Sequence, residues 1–148
     1  MSVKQVLSVM IGEQLFGIDI IAIQDVLRRA ESAPVPLAGE RIVGLMNLRG
    51  HIVTLIHIAK CLGVETGAQA NMNIVIEHHK ELFGLLFERV GDIQEIDMNR
   101  LEPMPPTLDR TWHVISDGVC RLPEGLMIVL NPYALIESAS VATDKDKA

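Results

Sequence analysis

Aromatic residues are scarce in this 148-residue chain: three Phe, one Trp and one Tyr, together 3% of it. Basic charge is also in the minority, with 13 Lys and Arg against 19 Asp and Glu and a formal net charge of -6. Nucleic-acid binders present a basic stripe and stack bases on aromatic rings, so both shortages argue against such a partner. Cysteine occurs twice, as Cys61 and Cys120. Two cysteines so far apart make neither a disulfide framework nor a CxxC metal pair, and they read as thiols in a reducing compartment. No apolar run approaches the ~18 residues that a membrane span needs. The opening "MSVKQVLSVMIGEQ" is broken by Ser8 and Gly12 and does not read as a secretory signal. The expected location is the cytoplasm, with no direct membrane insertion.

Catalytic signatures are missing as well. The chain has no HExxH, no G-x-S-x-G elbow and no Gly-rich phosphate loop. Its acids fall in turns such as "GEQ", "SDG" and "PEG", where Asp and Glu are ordinary turn formers. The five histidines are His51, His57, His78, His79 and His113. His51 and His57 would share a strand face about 20 Å apart, too far for one ion. His78 and His79 lie in a turn where adjacent side chains are expected to point apart. No metal site and no cofactor are therefore expected. His57 reads as a half-buried polar residue facing a loop, open to a pH-sensitive role. Trp112 reads as core or inter-barrel packing, and Met10, Met46, Met104 and Met127 as gap fillers.

What is abundant is short apolar runs. The chain is 49% hydrophobic, enough for a core. Runs of about five to seven residues between Gly, Pro, Asn and Asp predict strands at 6–11, 15–20, 44–48, 52–56, 73–76, 82–87 and 126–130. "IGEQ" (11–14) and "HHKE" (78–81) read as hairpin turns. Short helices are expected at 21–26, 58–62 and 132–138, and "EPMPPT" (102–107) as a loop. Two stretches recur in order. "FGIDIIAIQDV" (16–26) resembles "FGLLFERVGDI" (83–93) at an offset of 67, and "IVTLIHIAKCL" (52–62) resembles "LMIVLNPYALI" (126–136) at an offset of 74. A duplicated all-β unit must hide its strand edges, and closure into a small barrel does so. The expectation is a single domain over 1–138. Two intertwined barrel subdomains, roughly 1–66 and 67–138, share one core, and 139–148 form a frayed tail.

One charge stands out. Arg49 interrupts "GLMNLRGHIVTLIHIA" (44–59), an otherwise apolar stretch. A guanidinium there must be paired or reach water. "NLRG" reads as a tight turn with Gly50 free to take a positive φ, so Arg49 would stand at a surface. Asp25, or Glu88 or Asp92 from the matching half, is the expected partner. Two readings stand side by side: a fold-fixing ion pair with Asp25, and a charged tip beside an apolar groove for a partner helix.

"FGIDIIAIQDV", then "PVP" (34–36), then "IVGLMNLRGHIVTLIHIAKCLG" (42–63) resemble the CheW family of chemotaxis coupling proteins. The match is good over about the first 63 residues and looser afterwards, through 83–93 and 125–136. Thr54 stands where the family often has Pro, His57 where it often has Asp, and "FERVGD" (87–92) replaces a frequent "V-D-x-V". These departures suit a divergent member, of a system other than the flagellar one. The resemblance implies two small five-stranded SH3-like barrels related by a pseudo-twofold, with short helices. It implies a non-catalytic adaptor that binds the cytoplasmic tip of a chemoreceptor and the regulatory domain of a CheA-type histidine kinase, in membrane-associated arrays, with self-association through similar surfaces. The groove would use Ile23, Asp25, Val26, Gly44, Asn47, Arg49 and Gly50. Positions around Val9, Ile11, Leu15 and Val43 would face the kinase. The competing expectation is a small-ligand-binding β-barrel with its site between the two halves.

Overall fold

A computed structural model of the chain describes residues 2–28, 33, 41–64 and 69–147, with side chains through residue 139. The "PVP" loop at 34–36 lies outside these residues. Ten strands carry the fold: β1 (Val3–Ile11), β2 (Gln14–Asp19), β3 (Ile23–Arg28), β4 (Ile42–Leu48), β5 (His51–His57), β6 (Met72–His78), β7 (Glu81–Phe87), β8 (Arg89–Asp97), β9 (Ser116–Leu122) and β10 (Gly125–Leu130). Three helices join them: α1 (Ile58–Leu62), α2 (Arg110–Ile115) and α3 (Pro132–Lys147).

The strands form two five-stranded sheets, ordered β8-β1-β2-β10-β9 and β3-β6-β7-β5-β4. Adding five to each strand number of the second order, cyclically, produces the first. The duplication is therefore a real feature of the fold. Each repeat gives its first hairpin to one barrel and its last three strands to the other. A cut at residue 66 separates the repeats but not the barrels. One barrel takes residues 23–87, and the other takes 3–19 with 89–130.

Register makes the same point residue by residue. Phe16 pairs with Ile128 across the parallel β2–β10 contact, and Phe83 with Thr54 across β7–β5. These are the 67 and 74 offsets applied together. The β1–β8 and β3–β6 pairs also share an irregularity: Val9 opposes Val90 and Ile76 opposes Ile23, and each ladder shifts there. Both repeats place glycine after the first phenylalanine because a neighbour comes too close for a side chain. A Cβ at Gly17 would stand 2.7 Å from Sδ of Met127, and one at Gly84 2.7 Å from Cδ2 of Leu55.

The largest core cluster draws on both barrels and on the helices. Phe16 of one barrel and Phe87 of the other are fully buried with ring centroids 6.3 Å apart. Ile18, Leu85, Ile58, Leu135 and Ile136 pack in the same cluster, and half-buried Trp112 packs against it. A smaller cluster fills each barrel.

Five elements differ from expectation. The helix expected at 21–26 is a single 3-10 turn, Ile20–Ala22, followed by β3. The Asp19 carboxylate accepts the Ile21 N–H at 3.0 Å, and the chain then pairs with β6 instead of continuing to coil. Strands β8 and β9 and helix α2 were not expected; "RVGDIQEID" of β8 is mostly exposed and lacks a clean apolar alternation. Helix α3 runs to Lys147 and does not stop at 138.

Candidate functional site

Two central residues, Arg49 and Gly50, connect β4 to β5, between the paired Leu48 and His51. Their φ values are +52° and +87°, the pattern of a type I′ turn. Asn47 Oδ1 accepts the Gly50 N–H at 3.0 Å and fixes the loop. Gly50 suits this conformation. Arg49 does not, and a side chain in the left-handed region costs roughly 1–2 kcal/mol.

The arginine is paired with Asp25. Its Nη2 lies 3.3 Å from Asp25 Oδ2, while Asp25 Oδ1 accepts the Val26 N–H at 2.9 Å. Strands β3 and β4 are the two ends of their sheet order, so the pair links the β4–β5 tip to the opposite edge of the barrel. The Arg49 side chain is 76% exposed and that of Asp25 26%. A pair this wet contributes about 0–1 kcal/mol, which does no more than offset the strain of the turn. Stability is therefore a poor reason for the arginine. Neither Glu88 nor Asp92 is the partner of Arg49: Glu88 Oε1 accepts the Gly12 N–H at 2.8 Å, and Asp92 lies on β8, held by its backbone carbonyl, which accepts the Ser8 hydroxyl at 2.6 Å.

The matching tip of the other barrel has Pro123 and Glu124 between Leu122 and Gly125. There Gln94 donates to Glu124 Oε2 at 3.2 Å. The paired arginine thus belongs to one tip of the two and is not demanded by the architecture.

Asp25, Asn47, Arg49 and Gly50 come together at this tip. Burial alternates along β3, so Ile23 and Asp25 lie on its half-buried side and Val26 on its exposed side. Gly44 is buried opposite Leu55, where the β4–β5 ladder shifts, and shapes the strand without offering a surface. Val9 and Ile11 are core residues, so the expectation that they face a partner is wrong; alternation along β1 turns both inward. Leu15 and Val43 are half-buried. Ile52 was missed. It is 65% exposed and lies directly across the ladder from Asn47. Its signal was present in "HIVTL": Thr54 marks the outward face, and Ile52 shares that face by period two.

A shallow cavity of about 170 Å³ on the other barrel is lined by Lys4, Asp19, Asp117, Asn131 and Tyr133 among others, with Lys4 Nζ 3.4 Å from Asp19 Oδ2. Small-molecule sites usually measure ~300–1,000 Å³. Cys61 and Cys120 are free thiols; burial pushes Cys61 up to about 11, against a smaller opposing pull from Arg41, and burial also raises Cys120. Both stay protonated and poorly nucleophilic at neutral pH. His57 is half-buried and its Nδ1 accepts the Lys60 N–H at 3.3 Å, capping α1. His78 and His79 do not point apart as expected: their ring centroids are 4.0 Å from each other. Among the described residues no helix is long and apolar enough to cross a membrane.

Comparison with known proteins agrees with this geometry. The family model of the CheW-like domain matches residues 5–140. Chemotaxis protein CheW of Thermotoga maritima is 30% identical over 138 residues, covering 93% of this chain and 90% of its own length. Chemotaxis protein CheW of Helicobacter pylori is 25% identical over 137 residues, covering 91% and 82%. The crystal structure of the scaffolding protein TtCheW from Thermoanaerobacter tengcongensis superposes with a TM-score of 0.81 at 25% identity, covering 91% of this chain and 88% of that one. The fold is the pair of SH3-like barrels of that scaffold, and the chain belongs to the CheW-like domain family.

Proposed function

We propose that this protein is a non-catalytic adaptor that couples chemoreceptors to a CheA-type histidine kinase in a chemosensory array. The observation that carries the reading is the β4–β5 tip. An arginine sits there in a backbone conformation it disfavours, paired with Asp25 and next to exposed Ile52. A charge kept at a stability-neutral cost beside an exposed apolar side chain suits recognition of a helical receptor hairpin, with Ile52 as an apolar contact and the Asp25–Arg49 pair setting orientation. The names of the relatives and of the structural neighbour support the same role. The kinase regulatory domain would use another face.

The experiment is co-elution on a sizing column. The purified chain is mixed with a receptor signalling-tip fragment, with the kinase regulatory domain, and with both. An adaptor forms each binary complex and a ternary one, and Ile52→Asp loses the receptor complex while keeping the kinase complex. A chain that binds neither partner is not an adaptor.

A further inference from the structure

Two histidines and a glutamate meet where the β6–β7 turn reaches α3. His78 ends β6 and pairs with Glu81, leaving His79 and Lys80 as the turn, with φ of +52° and +65°. This backbone brings the two imidazoles to one side. Tyr133 of α3 packs near His78, with ring centroids 5.1 Å apart. One helical turn further along, Glu137 places Oε1 3.1 Å from His78 Nε2. One donor atom from each of His78, His79 and Glu137 lies within 4.8 Å of the others.

Those spacings suit a metal ion. Ligands at 2.0–2.1 Å on a tetrahedral zinc stand about 3.3 Å apart. His78 and Glu137 already have that separation, and a swing of roughly 1.5 Å about the exposed His79 side chain completes the set. Two imidazoles and one carboxylate are donors for zinc-like ions, whereas magnesium and calcium take oxygen.

The fold does not require any of the three. Their equivalents in the other repeat are Ile11, Gly12 and Gly63, by the same offsets of 67 and 74. Gly12 takes the left-handed conformation (φ +60°) that His79 adopts with strain. So one repeat keeps the unstrained residue and the other carries a donor.

We propose that His78, His79 and Glu137 bind a divalent transition metal, with zinc the best fit and water completing the coordination. The ion replaces the His78–Glu137 hydrogen bond and ties the β6–β7 hairpin to α3. The site stands independently of the adaptor reading. Ligation needs neutral imidazoles, so affinity falls as the solution is acidified.

The test is calorimetric titration of the tag-free full chain with zinc chloride in a non-chelating buffer, with cobalt(II) absorption as a second readout. One saturable site per chain and a tetrahedral cobalt spectrum are expected. Glu137→Gln and His79→Gly each weaken binding at least tenfold. His79→Gly installs the residue of the equivalent turn and keeps the fold, so zinc should raise the melting temperature of the wild type and not of this variant. Absence of saturable binding at one equivalent overturns the proposal. So does undiminished binding in the His78→Ala/His79→Gly double variant, which would assign the zinc to other donors.

Discussion

His57 and Asn131 occupy one position of the repeat and do one job. His57 Nδ1 accepts the Lys60 N–H at 3.3 Å ahead of α1, and Asn131 Oδ1 accepts the Tyr133 and Ala134 N–H groups at 3.1 and 3.2 Å ahead of α3. His57, which stands where the family often has aspartate, thus caps its helix through a ring nitrogen. His57→Asn should keep the wild-type melting temperature or raise it, because asparagine is among the best N-caps. His57→Ala should lose about 1 kcal/mol of stability. Urea unfolding of the three proteins checks both.

The buried residue Asn73 should be dispensable. It is fully buried against Gly84, its amide donates only to Met46 Sδ at 3.2 Å, and its Oδ1 has no hydrogen-bond partner among the described residues. The equivalent position in the other repeat is Val6, which packs on Gly17. An unsatisfied buried acceptor costs about 1–3 kcal/mol. Asn73→Val should therefore stabilise the protein by about 1 kcal/mol or more, read as a higher urea midpoint with an unchanged slope.

Alkaline pH should destabilise the chain in part through Cys61. Its folded pKa is raised from 9.0 to about 11, chiefly by burial. Below pH 9 both states hold the proton and the contribution is full. Between pH 9 and 11 the unfolded chain loses its proton more readily than the folded one, so stability falls. Wild type should lose more stability than Cys61→Ala over this window, measured by denaturant unfolding at each pH. Equal slopes would mean that the thiol ionises as freely in the fold as out of it.

The residue at Arg49 should be exchangeable without loss of stability, at the expense of recognition. Asparagine tolerates the left-handed conformation better than arginine. Arg49→Asn loses an exposed pair worth at most about 1 kcal/mol and sheds strain of similar size. Its melting temperature should stay within a few degrees of wild type, so any loss of binding is not a loss of fold.

Much of this was legible in the sequence. Seven strands, both hairpin turns and the duplication could be read because apolar alternation and repeated Phe-Gly pairs are local signals. That Arg49 needs an acid was legible, because a lone guanidinium in an apolar stretch must be paired or wet, but the sequence left Asp25, Glu88 and Asp92 open and only the fold selects Asp25. What local reading could not supply was the exchange of hairpins between repeats. Nothing in residues 14–19 says that β2 pairs with β10, more than a hundred positions away. Strand β8 was hidden by its charges, since its exposed face is as polar as a loop. The His78–His79 pair was expected in a turn with its side chains apart; instead His78 ends β6 and the positive φ of His79 sets the two rings 4.0 Å from each other.

The most direct test is a calorimetric titration of a receptor signalling-tip fragment into the wild type and into Arg49→Asn. The adaptor role assigned to the β4–β5 tip predicts saturable binding by the wild type. It also predicts at least a tenfold weaker affinity, about 1.4 kcal/mol, for a variant that melts at the same temperature. Equal binding by the two proteins would contradict it.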